Sequence, residues 1–108
     1  MAPGPLSAAW VADVRAALAG FRRVFLGQLV PGERSYELVL TTRPSPPDAD
    51  LVAAIQAALG DLIHRDDSPL AEGGAAPWHF YPPVDEHDHD LFAGLDWSHA
   101  VVVHERVD

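Results

Sequence analysis

Leu6, Trp10, Val14 and Leu18 recur every four residues, with Phe21 three further on. Leu51, Ile55, Leu59 and Leu62 form a second stripe at helical spacing, widened by Val52 and Ile63. Each stripe is one apolar face of an amphipathic helix, and an apolar face must be buried against something. Ser7 is placed to cap the first helix and Gly20 to end it. Asp48 or Asp50 is placed to cap the second.

What the helices pack on is written between and after them. "RRVFLGQLV" is rich in β-formers and almost continuously apolar, as in a strand covered on both faces or central in a sheet. "PGE" is turn chemistry, because proline presets φ and glycine accepts positive φ. In "RSYELVLTT", Tyr36, Leu38 and Leu40 share one face, and Ser35, Glu37, Val39 and Thr41 the other. Residues 24–30 and 35–41 therefore predict an antiparallel hairpin. "RPSPPDAD" breaks the chain before the second helix, and residues 64–77 read as a long polar loop in which Gly73-Gly74 supplies flexibility. "WHFY" predicts a short aromatic strand stopped by Pro82-Pro83. Residues 90–97 predict a short helical turn with Leu91, Phe92 and Leu95 inward, and residues 99–105 a last strand.

The predicted order is helix, strand, strand, helix, strand, short helix, strand. The fold class is a two-layer α+β domain, a mostly antiparallel four-stranded sheet with the two main helices on one face. The 108 residues make one domain, 1–108, with residues 1–5 a loose N-terminal tail. A chain of this size buries roughly 65% of its unfolded surface, enough for one core.

Composition narrows the function. The net charge is −9, with seven arginines and no lysine. That balance disfavours nucleic acid and anionic membrane surfaces, which need clustered cations. No run is long and apolar enough to span a bilayer. The N-terminus lacks a basic stretch ahead of an apolar run, so a cytoplasmic location is expected. There is no cysteine, hence no thiolate chemistry. No nucleophile elbow and no phosphate-binding glycine loop occurs.

Chemistry-bearing residues concentrate in "VDEHDHDLF", where Asp85, Glu86, His87, Asp88, His89 and Asp90 are consecutive. Extended, this run would put His87 and His89 on one side, a ligand spacing suited to zinc or nickel, with Asp85 as a third donor. The partial likeness to the His-x-His-x-Asp-His signature of metallo-β-lactamase-like hydrolases fails, because Leu91 and Phe92 stand where that motif has Asp and His. The competing reading is a solvated acidic loop whose aspartates cap the short helix that follows. The expected cofactor is none, apart from adventitious zinc or nickel. The half-buried aromatics expected beside polar turns, Trp78 and Trp97, are the candidate anchors for a protein partner or for self-association.

Taken together, "VFLGQLV", "SYELVLTT", "LVAAIQAAL", "WHFYPP", "DLFAGL" and "AVVVHER" resemble, in order, the elements of the C-terminal domain of the enhanced-serine-sensitivity (SseB) family. The likeness covers almost the whole chain and is one of layout. It departs most in the last strand, where Val102-Val103 replaces the aromatic pair usual in the family. The resemblance implies a non-catalytic regulatory or protein-interaction module and carries over no catalytic residue. The alternative is a metal-binding protein or metal-dependent hydrolase built on His87 and His89.

Overall fold

The structure, a computed structural model, describes residues 5–33, 35–43, 45, 47–70, 78–83 and 86–106, without the side chains of His87 and Asp88. Most of the tail, Gly73-Gly74 and Asp85 thus lie outside the described residues.

The elements are α1 (Ala8–Ala19), β1 (Val24–Pro31), β2 (Tyr36–Thr42), α2 (Ala49–Ile63), β3 (Trp78–Tyr81), α3 (Glu86–Ala93), a 3-10 turn (Trp97–His99) and β4 (Val101–Glu105). The order matches the sequence expectation. The sheet runs β3-β2-β1-β4. β1 pairs antiparallel with β2 and β4, and β2 pairs parallel with β3. The apolar β1 is thus an interior strand.

Both main helices start at side-chain caps. The Ser7 hydroxyl accepts from the Trp10 N–H at 3.2 Å. The Asp48 carboxylate accepts from the Leu51 N–H at 2.8 Å and pairs with Arg23 at 2.7 Å. Each cap satisfies a helix-start donor that has no partner within the helix.

The first stripe delivers Trp10, Val14 and Leu18 to the core, all 0% exposed, and the second delivers Leu51, Ile55, Leu59 and Leu62. They meet Val24, Leu29, Leu38, Leu40, Trp78 and Val103 of the sheet. The Trp10 indole N–H donates to the Leu62 carbonyl at 2.7 Å, a buried bond from α1 to the end of α2. α1 packs tightly on the sheet at Gly27, where a Cβ would stand 2.9 Å from Leu18 Cδ1.

β1 reaches this layer from both parities because its register with β2 shifts between Val24 and Leu26. The extra residue, Phe25, lets Val24 and Leu29 face the same helices. Arg43 lies over the Phe25 ring at 4.4 Å. The start of the polar loop after α2, residues 64–70, is tethered to the sheet. The Tyr36 N–H donates to the Pro69 carbonyl, Leu70 bridges to Tyr36, and Leu70 enters the core at 5% exposure.

α3 lies on the opposite face of the sheet. Phe92 packs there on Val30 and Val39, with Leu91, Leu95 and Ala100 around them. This helix corrects the sequence reading in one respect. It starts at Glu86 rather than within residues 90–97, so the acidic histidine run from Glu86 onward is helix and not loop. Acidic residues in a first turn suit the positive end of the helix dipole, which is why this run folds as a helix start.

Three aspartates are held below the usual carboxylate range. For Asp48 the main cause is the Leu51 N–H, then Arg23. For Asp67 it is Arg65, which binds it with two nitrogens at 3.0 and 2.8 Å. For Asp96 it is the Ser98 hydroxyl, then His99. A carboxylate whose folded pKa is depressed contributes stability that is present above its unfolded pKa of about 3.9 and lost as pH falls through the folded value. The melting temperature is therefore expected to hold down to about pH 4 and then fall. Asp48→Asn retains a capping oxygen but cannot titrate, so its acid limb should be shallower than that of the wild type. Superimposable acid limbs in the two proteins would contradict this.

Candidate partner-binding groove

α3 covers only part of its face of the sheet. Its eight residues make a rod about 12 Å long. Val30 and Val39 are buried beneath it, while Leu26, Gln28 and Thr41 on the same face are half-buried. Between this uncovered floor and the helix lies a groove of 840 Å³. Leu26, Gln28 and Thr41 form its floor, and Tyr81, Pro83, His89, Phe92, Ala93 and Trp97 its walls. This volume lies within the range of sites that accept a ligand or a few partner side chains, about 300–1,000 Å³.

The walls are built on an aromatic cluster. Phe92, the buried member, stacks on Tyr81 with centroids 6.3 Å apart and meets Trp97 edge-to-face at 5.5 Å. Tyr81 and Trp97 are 6.2 Å apart at a steep angle. The Trp97 indole N–H donates to the Phe92 carbonyl at 2.8 Å, tying the 3-10 turn to α3. On the neighbouring part of the sheet, His79 edges onto Phe92 and lies 3.1 Å from Glu37, both nearly enclosed.

The exposed large apolar side chains described are Tyr81 (49%), Trp97 (37%) and Val102 (42%). Tyr81 and Trp97 line the groove. Val102 lies opposite Gln28 in the register, hence on the same face. A large apolar surface gathered on one face is informative where a scattered one is not.

The two candidate anchor tryptophans separate. Trp97 lines the groove. Trp78, expected to be half-buried, is 8% exposed and belongs to the main core. The pairing of Leu38 with Trp78 and of Leu40 with Phe80 turns both aromatics toward α1 and α2.

The candidate metal residues are placed differently from the extended arrangement they need. Positions 87 and 89 lie in α3, where two residues of helix turn about 200° around the axis. His89 faces the groove, and Asp85 lies outside the described residues. Among the described residues no group of three or more histidines and carboxylates is gathered to hold a metal ion.

Among the described residues one serine–histidine–aspartate contact is present, at the 3-10 turn. Asp96 Oδ2 lies 2.6 Å and Ser98 Oγ 3.1 Å from the same His99 nitrogen, Nδ1, and the Ser98 hydroxyl donates to Asp96. A nucleophile relay needs the hydroxyl and the carboxylate on opposite ring nitrogens, so this arrangement is a turn rather than a triad. Among the described residues no helix is long and apolar enough to cross a membrane.

The fold and the groove define this chain as a small α+β domain with an aromatic-walled cleft between its sheet and a short helix. Comparison with protein-family models, with curated proteins and with solved structures finds no match to it.

Proposed function

We propose that the domain is a non-catalytic interaction module that takes a segment of another protein into the groove between α3 and the sheet. The observation that carries this reading is the pair of exposed aromatics Tyr81 and Trp97 lining one preformed hollow, with Val102, the other exposed large apolar side chain described, on the same face of the sheet. Exposed tryptophan and tyrosine over an apolar pocket are the residue types that anchor protein partners. The element order, shared with the layout of the SseB C-terminal domain, supports the same reading, since that likeness implies regulation by binding rather than catalysis. A second copy of the chain is a poorer occupant, because each copy carries −9.

The test selects peptides from a random displayed library on the wild-type domain. They are then measured on a Tyr81→Ser, Trp97→Ser double variant and on an Asp50→Asn, Asp61→Asn variant of α2. The selected peptides should lose at least about tenfold in affinity on the first variant and keep it on the second. Peptides indifferent to the first variant would remove the groove as the working surface.

A further inference from the structure

Resting on that reading, we infer that the occupant is a basic amphipathic segment, its apolar side chains in the groove and its lysines or arginines against the groove's acidic rim. The floor and walls supply the apolar half, through Leu26, Phe92 and Trp97. Charge supplies the rest. Glu86 stands three residues before His89 and seven before Ala93, so the helical period puts it on the stripe that faces the groove. Glu105 is paired with Leu26 across β4 and β1, which puts it on the same face of the sheet. Asp96, next to Trp97, is already engaged by His99 and Ser98 at 2.6 Å each, so the rim charge rests on Glu86 and Glu105. Both are exposed.

The cation two residues past Thr41, Arg43, lies on the Phe25 ring. The pull of the rim is reinforced by the net charge of the chain, −9, which draws cationic segments and repels acidic ones at long range. The exposed aromatic rings of Tyr81 and Trp97 add a surface that attracts a guanidinium or ammonium group. An acidic or purely apolar segment would satisfy only part of this surface.

The experiment uses the whole chain and three short synthetic peptides. One combines leucine and lysine at helical spacing. The second replaces each lysine with glutamate, and the third replaces each leucine with serine. Calorimetric titration should show binding of the first alone, weakening as salt is added. Its affinity should fall about tenfold or more on the Tyr81→Ser, Trp97→Ser variant. It should fall several-fold on Glu86→Gln with Glu105→Gln, and stay within about twofold on Asp50→Asn with Asp61→Asn. Circular dichroism checks that each variant is folded.

Binding of the glutamate peptide with equal affinity, lost on the Tyr81/Trp97 variant, would overturn the inference and leave the groove reading standing. Lysine-peptide binding that ignores the Tyr81/Trp97 variant would mean non-specific attraction and would overturn the inference. No binding of any peptide would overturn it too, and library peptides that failed on the groove variant would then decide separately for the groove. A dimer in light scattering, lost on Tyr81→Ser with Trp97→Ser, would make a second copy the occupant instead.

Discussion

Trp10→Ala is expected to lower the unfolding free energy by about 3–5 kcal/mol, the largest loss for a single side chain in this fold. Three features combine at this position. The indole is 0% exposed. It occupies the main core between α1, α2 and the sheet, where the vacated volume has helices on one side and strands on the other. Its N–H donates to the Leu62 carbonyl at 2.7 Å. The Leu62 carbonyl also accepts from the backbone N–H of His64, so losing the indole does not orphan it. The polar part of the cost should therefore be small and the cavity part large. Trp10→Phe, which keeps an aromatic ring but no donor, separates the two and should cost about 1–2 kcal/mol. Since domains of this kind have about 5–15 kcal/mol in total, the alanine variant should sit near the edge of folding. Urea titration of both variants reads the difference directly. Equal losses for alanine and phenylalanine would mean that the hydrogen bond, and not the volume, governs the site.

The main layer was legible because its determinants are periodic. Leu6, Trp10, Val14, Leu18 and Phe21 can share one side only on a helix, since Phe21 falls on the other parity, and Tyr36, Leu38 and Leu40 only on a strand. The Ser7 cap is local chemistry and was legible, whereas the second cap was narrowed only to Asp48 or Asp50, and Asp48 takes it. The short strand "WHFY" shows where such reasoning stops. Each of its positions is aromatic, so either parity fits, and only pairing with β2 buries Trp78 and leaves Tyr81 exposed. The run from Glu86 to Asp90 has no apolar period, so helix and solvated loop read alike until a packed residue such as Phe92 fixes the phase. The groove was beyond reach for a different reason. The apolar run in β1 announces two apolar faces, but how far a cover extends depends on the length and placement of α3, and eight residues do not reach Leu26. Its exposed member Tyr81 carries no signal of its own in the sequence.

Phe92→Ala is expected to release α3 without unfolding the main core. Phe92 is the side chain of α3 buried in the second cluster, at 6% exposure, and it touches His79, Tyr81 and Trp97 as well as Val30 and Val39. Deleting it removes about 3 kcal/mol from a docking surface otherwise held by the partly buried Leu91, Leu95 and Ala100. Among the described residues the main core contains none from α3, so the loss should appear as local opening rather than as global unfolding. Amide protection in α3 and the following turn should drop about a hundredfold, while Trp10, Val14 and Ile55 keep theirs. The emission of Trp97 should shift to the red as its turn loosens, and Trp10 and Trp78, buried in the other layer, should not contribute. Peptide affinity should fall with the same substitution, because five of the nine groove residues, from Pro83 to Trp97, belong to α3 or its flanks. A uniform loss of protection across both layers would mean that the sheet cannot be held by α1 and α2 alone. The cover on the second face would then be part of the fold's foundation, with binding a secondary consequence.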